Sequence, residues 1–418
     1  MNTKLALILT MTFALTVGCS ETTSAELDNN EDNLPDISGY QIVGTNQTTS
    51  FDNSNTITLP SVGDDFYGQN SNYTGRLLQY VDNGDETVTD MVTGLMWQQS
   101  FDHNSDGEID VDDKLTYAEI LEQFGDGGVS FDGYDDWRLP TIKEMYSLIL
   151  FSGRDIAPES TSDNNLTPFI DNNIFEFAYG DLDAGERLID MQCATTNVYV
   201  SDEVSETVFG VNFADGRIKG YGTGMPFGGM DKAFNYLLVR GNTSYGINEF
   251  VDNDDGTITD ESTSLMWMQD DNGEGVLWKD ALAYAEGKEF AGHSDWRLPD
   301  VKELHSIVDY TRSPAATNSA AIDPLFNCTQ ITNEAGQVDY PWYYSSTTHA
   351  SMNSGSAAAY VAFGRSLGNM NGWIDIHGAG SQRSDPKTGN PDDYSEGHGP
   401  QCDAIRIYNY VRVVRNIN

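Results

Sequence analysis

Positive charge is scarce in this sequence. Its 418 residues carry 22 lysines and arginines against 65 aspartates and glutamates, a formal net charge of −43. Such a coat repels phosphate backbones and sulfated polymers, so nucleic acid is not expected as a partner. Histidine is rarer still. None of His103, His293, His305, His349, His377 and His398 falls in a His-Glu-x-x-His spacing. No Gly-x-Ser-x-Gly elbow or phosphate loop occurs either. With no catalytic constellation in view, the expectation is a protein that is not an enzyme. Long apolar runs are also missing: beyond Leu5 to Val17 nothing approaches the roughly 20 residues of a membrane helix. There are four cysteines. With Cys19 set aside, Cys193, Cys328 and Cys402 allow one disulfide and one odd thiol. Cys328 and Cys402 share the C-terminal part of the chain and are the candidate pair.

What is present begins at the N-terminus. Lys4 precedes the apolar run, which is too short to span a bilayer and has the form of an export signal. Leu15-Thr16-Val17-Gly18-Cys19 resembles the lipobox of bacterial lipoproteins. That resemblance implies a signal peptide over residues 1–18 and lipid on Cys19. With Ser20 rather than aspartate next, it also implies an outer-membrane address, at the cell surface or facing the periplasm. Several acyl chains on one cysteine make a stable anchor, and the membrane is met through that lipid alone. Residues 19–68 are rich in Asn, Asp, Ser and Thr and include the acidic run from Glu26 to Asn33. They read as a flexible tether with a reach of roughly 40 Å. Hydrophobic residues at 39% and aromatics at 11% are ample for folded cores beyond it.

The remainder is one unit written twice. Tyr80-Val81-Asp82-Asn83 and Phe250-Val251-Asp252-Asn253 open the two repeats. Thr93-Gly94-Leu95-Met96-Trp97 matches Thr263-Ser264-Leu265-Met266-Trp267, and Asp136-Trp137-Arg138-Leu139-Pro140 matches Asp295-Trp296-Arg297-Leu298-Pro299. The offset falls from 170 residues at the first tryptophan to 159 at the second, so the first repeat holds 11 extra residues between them. Two domains are expected, over 69–242 and 243–418.

Each repeat reads as α+β. Asn-Gly and Asp-Gly turns lead into a Leu-Met-Trp strand, and helical spacing runs over 114–124 and 277–287. Pro140 and Pro299 precede further helices with Thr141 and Asp300 as N-caps, and a Tyr/Val/Arg strand closes each repeat.

This order is similar to that of the Lcl C-terminal domain family, over roughly 80–250 and 250–418. The resemblance implies a cell-surface binding module, in the founding adhesin for sulfated glycosaminoglycans. The collagen-like Gly-X-Y region of that adhesin is missing and the acidic charge opposes sulfated ligands, so the ligand is not carried over. Arg-Leu-Pro before a helix also resembles C-type-lectin-like and sulfatase-modifying folds.

The sharpest local motif is Asp102 to Asp113. Asp102, Asn104, Asp106 and Asp110 stand at positions 1, 3, 5 and 9, Gly107 at 6 and an acid, Asp113, at 12, with the Glu108 carbonyl at 7. This is the spacing of a twelve-residue Ca²⁺ loop, expected to serve structurally. It departs from the EF-hand in the shorter arm of Asp113 and in having only an exiting helix. The hairpin turns at 82–90 and 252–260 read as tight turns without metal.

Trp137, Arg138, Trp296 and Arg297 read as core, with Arg138–Glu144 and Arg297–Glu303 as buried pairs. Tyr221, Trp342, Tyr343, Tyr344 and Trp373 are the aromatics offered for sugar stacking. The expected function is binding or adhesion to extracellular carbohydrate or a surface protein. The alternatives are a sulfatase-modifying enzyme, for which only Cys328 and Cys402 could supply the reactive pair, and a purely structural envelope protein.

Overall fold

A computed structural model describes residues 34–417 apart from 36, 38, 74, 202–205 and 225–230. Cys19 and the signal segment lie outside the described residues. In the first repeat, β1 (Tyr80–Asp82), β2 (Thr87–Asp90) and β3 (Leu95–Gln98) form an antiparallel meander that β7 (Val239–Gly241) closes against β3. Between them come α1 (Tyr117–Phe124), α2 (Ile142–Ser147), and the strands β4 (Gln192–Val198), β5 (Thr207–Asn212) and β6 (Arg217–Gly222). The second repeat follows the same order. It runs β8 (Phe250–Asp252), β9 (Thr257–Asp260), β10 (Leu265–Met268), α3 (Trp278–Glu286), α4 (Val301–Ser306), β11 (Trp342–Thr348), β12 (Ala357–Ala362), β13 (Gln382–Pro386) and β14 (Val414–Asn416). This is a mixed α+β fold.

The same local chemistry sets both repeats. In each opening hairpin an asparagine amide bridges the turn: Asn83 Nδ2 donates to Thr87 and Thr89 Oγ1 at 2.8 and 3.0 Å, Asn253 to Thr257 and Thr259 at 2.9 and 3.0 Å. The residue after each proline caps its helix. Thr141 Oγ1 accepts from Glu144 N–H and Asp300 Oδ1 from Glu303 N–H, while each glutamate carboxylate accepts from the cap's own N–H.

The repeats do not remain separate bodies. Their three-stranded sheets join edge to edge in one antiparallel sheet, ordered β11-β12-β13-β6-β5-β4, with Ile218 opposite Gln382 at the seam. Trp97, Ile142, Met145, Trp267, Val301 and Leu304 lie in one buried core drawn from both. Two lysines cross that junction in mirrored fashion. Lys143 Nζ donates to Ser306 O and Lys302 Nζ to Ser147 O, both at 2.8 Å, from matching positions in the two repeats.

The largest departure from expectation lies before the first repeat. Residues 39–68, read as tether, are built into the fold. Tyr40, Val43 and Phe51 are buried, and Tyr40 stacks edge-on against Tyr245 at 4.6 Å. Gln47 Nε2 reaches Thr348 O at 2.6 Å, and buried Lys387 Nζ donates to Asp52 O at 2.9 Å. Polar composition hid this strap, because its few apolar residues are widely spaced and Gln47 donates to the carbonyls of Phe151 and Thr348, far along the chain. Gly355 offers a direct test. A Cβ there would lie 2.2 Å from the Phe51 ring. Gly355→Ala is expected to cost about 1–3 kcal/mol through overpacking and to hasten proteolytic cleavage between residues 34 and 60, read by limited digestion and mass mapping. Unchanged cleavage would place the strap's hold elsewhere.

Candidate binding cleft

Two of the five aromatics offered for stacking, Trp342 and Trp373, line a cleft of about 470 Å³ in the second repeat, together with Tyr394, Arg406, Tyr408 and Glu334. Its floor is ordered. Trp342 stacks on Tyr360 with ring centroids 4.6 Å apart and nearly parallel planes, and its Nε1 donates to Arg365 O at 2.9 Å. The Arg406 guanidinium lies 3.9 Å from the Trp342 ring centroid. Arg406 also grips Glu334 in a two-pronged pair at 2.9 and 3.0 Å. Burial works against the charge on Glu334, but the guanidinium outweighs it and holds the carboxyl below its ordinary range. The loop carrying Arg406 and Tyr408 is fixed from β13. There Asp385 Oδ2 accepts from the N–H groups of Arg406 and Ile407 and from Asn409 Nδ2. Burial lifts the Asp385 carboxyl to about 6. Above this floor Tyr408 is exposed, while Trp373, at the end of a short hairpin, and Tyr394, on a 3₁₀ turn (Pro391–Tyr394), are half-buried. Trp373, Tyr394 and Tyr408 present rings that can stack on a sugar face beside the Arg406–Glu334 pair, while Trp342, covered by Tyr360 and Arg406, supports them from below.

Among the described residues the first repeat has no counterpart. From Phe213 to Arg240 it runs 27 residues, whereas Phe363 to Arg415 runs 52, and the surplus of 25 carries Trp373, Tyr394 and Tyr408. Sequence reading missed Tyr394, Arg406, Tyr408 and Glu334. The available signal was this length difference, with Asn-Pro-Asp-Asp-Tyr inside it.

The other candidates fall differently. Trp342, Tyr343 and Tyr344 are not exposed as expected: all three are buried in β11, with Tyr343 donating to Asp271 and the Tyr344 hydroxyl 2.7 Å from Ile407 O. Tyr221 is half-buried on β6 beneath Lys232. Both arginine–glutamate pairs form, each two-pronged at 2.5–2.8 Å; Arg297–Glu303 is buried as expected, whereas Arg138 opens onto a cleft. Asp136 and Asp295 take a second arginine from the closing strand, Arg240 and Arg415.

Cys193, Cys328 and Cys402 are free thiols. Burial pushes the Cys328 thiol up, and its Sγ lies 3.5 Å from Arg412 Nη2. Cys402 sits at positive φ in a turn closed onto Gly399.

In the 102–113 loop, Asp102 accepts from the N–H groups of Asp106 and Gly107, Asn104 from Asp106, and Asp106 from Glu108. Asp110 accepts from Asp112 N–H. Asp113 is buried and accepts from the N–H groups of His103, Asn104 and Asp110. The exit is a 3₁₀ turn (Val111–Asp113) and a two-residue strand before α1, rather than a helix directly. Among the described residues, no group of three or more His, Cys, Asp or Glu side chains is arranged to hold a metal ion. Nor is any helix among them long and apolar enough to cross a membrane.

The Lcl C-terminal domain matches residues 86–239 and again residues 256–375. The chain belongs to the Lcl C-terminal domain family. Neither curated proteins nor solved structures supply a match. The second match of this Lcl C-terminal domain chain ends at Asp375, so Trp342 and Trp373 lie within it while Tyr394, Arg406 and Tyr408 lie beyond it.

Proposed function

We propose that this Lcl C-terminal domain protein is a lipid-anchored binding module of the cell envelope, held by Cys19 at the outer membrane, and that it takes extracellular carbohydrate in the cleft of its second repeat. The observation that carries the reading is the Trp342–Arg406–Glu334 floor with Trp373 and Tyr408 at its mouth. A net charge of −43 favours neutral or cationic glycans over sulfated ones. On this reading the two repeats are lectin-like in architecture.

Calcium in the Asp102–Asp113 loop is its second element. Asp102, Asn104 and Asp106 hold the loop closed through their bonds to its N–H groups, and each carboxylate or amide oxygen keeps a lone pair for a cation. Asp110, Asp113 and the Glu108 carbonyl complete the oxygen set. A lone extracellular loop of this kind binds at roughly 10⁻⁴ to 10⁻³ M, so external calcium fills it and its role is to staple the first-repeat insertion.

The test is a glycan screen of the chain from residue 20 onward, run with millimolar calcium and again with chelator. Binding to neutral glycans supports the carbohydrate reading, and the absence of any glycan hit would overturn it. Thermal melting in the same two buffers tests the loop. A rise in Tm with calcium, lost in Asp102→Ala, is expected, and an unchanged Tm would remove the metal.

A further inference from the structure

The duplication provides a comparison inside the molecule, and it is uneven at one place. In the second repeat the chain's own strap lies across the Arg297–Glu303 pair. The Tyr73 ring sits 5.5 Å from the Arg297 guanidinium, and its hydroxyl donates to Glu286 Oε1 at 2.5 Å. Beside it Gly44 N–H donates to Arg76 O at 2.9 Å, with Val43 and Arg76 paired in parallel. Lys302 also lies 3.4 Å from the Gly44 carbonyl.

The first repeat has the equivalent frame without the equivalent cover. Lys143, the counterpart of Lys302, donates to Gly246 O at 3.1 Å, which puts Gly246 where Gly44 stands in the second repeat. No described strand runs beside it, and among the described residues Gly246 N–H donates to no protein acceptor. The cleft over Arg138–Glu144 measures about 670 Å³ against about 340 Å³ over Arg297–Glu303. The Arg138 side chain is 25% exposed where that of Arg297 is 10% exposed. At the cleft's rim, Ile247 is 61% exposed.

We infer that the cleft over Arg138 receives a short extended segment of a partner polypeptide, laid in as Tyr73, Gly75 and Arg76 lie beside Arg297 and Gly44. Its backbone carbonyl accepts from Gly246 N–H, and an aromatic side chain covers the Arg138 guanidinium. Asp126, Asp309 and Asp323 also line the cleft, so a segment with net positive charge fits best, as the chain's own loop with Arg76 does. This site is distinct from the aromatic cleft of the second repeat and stands independently of the carbohydrate reading.

The probe is a labelled peptide copying residues 69–78, titrated against the chain from residue 20 onward by fluorescence anisotropy. Saturable binding is expected, weakened at least tenfold by Arg138→Ala and equally by Ile247→Arg. The second variant alters an exposed side chain and guards against a folding defect in the first, with circular dichroism reporting the fold of both. Absence of binding to the unmodified chain would overturn the inference. So would binding that survives Ile247→Arg but is lost in Arg297→Ala, since the peptide would then merely exchange with the chain's own strap.

Discussion

Glu303→Ala is expected to destabilise the folded chain by about 3–5 kcal/mol, as removal of one partner from a buried ion pair does. The glutamate satisfies three donors at once: both terminal nitrogens of Arg297 at 2.6 Å and the Asp300 N–H at 2.9 Å. Arg297 is almost enclosed. Burial opposes its charge, but Glu303 more than offsets this and keeps it protonated. Without the carboxylate, a guanidinium stays buried with Asn416 Oδ1 as its remaining acceptor among the described residues, and α4 loses half of its capping box. Glu303→Gln retains an oxygen for the Asp300 N–H and should fall between wild type and alanine. Glu144→Ala should cost less, because Arg138 can turn to water through its open cleft. Urea denaturation of the four proteins orders them. Equal costs for Glu303→Ala and Glu144→Ala would mean that the strap over Arg297 contributes nothing to its burial.

Stability should rise as pH increases from about 7.5 to 9.5, and Lys143→Met with Lys302→Met should flatten that rise. Both lysines are buried at the junction of the repeats. Burial holds Lys143 down to about 8 and Lys302 to about 7, against an ordinary value near 10.5. Between the folded and unfolded values the unfolded chain binds more protons than the folded one, so unfolding becomes less favourable as pH rises. Each pKa unit corresponds to about 1.4 kcal/mol, so the two together amount to several kcal/mol across the window. Above pH 10 the sign reverses. Burial raises the pKa of Tyr40, Tyr146, Tyr245 and Tyr310, and these tyrosines resist ionisation in the fold but not in the unfolded chain. Denaturation at half-unit steps of pH reads the slope. A wild type whose stability falls from pH 7.5 to 9.5 would contradict the assignment.

Much of this molecule was legible because it is written twice. Asp-Trp-Arg-Leu-Pro-x-x-Lys-Glu located both capped helices and both arginine–glutamate pairs, since the arginine, the capping residue and the glutamate are partners within six positions. What failed depends on distant partners. The lysine of the same motif was passed over, although Lys143 and Lys302 are what tie one repeat to the other. Their acceptors are backbone carbonyls 163 and 155 residues away, which no side-chain pattern records. Residues 39–68 looked like tether because their partners, among them Thr348, Gly355 and Lys387, come some 300 residues later. Tyr343 and Tyr344, offered for stacking, are buried because β11 is covered on both faces.

The expected separation of the two repeats gave way for the same reason. The repeats are real, yet hydrogen bonds across β6 and β13 and a common core make one body of them. The cleft was half legible. Trp342 and Trp373 were named, but the surplus loop that brings Arg406 and Tyr408 against them is anchored by Asp385, a buried carboxylate whose role shows only in three dimensions.

On the proposed function, carbohydrate binds in the second-repeat cleft. Calorimetric titration of the best neutral glycan from the screen into wild type, Trp373→Ala and Tyr408→Ala tests it most directly. Loss of at least tenfold in affinity in both variants, with melting temperatures unchanged, is the predicted result. Wild-type affinity in both would place the binding site elsewhere on the protein.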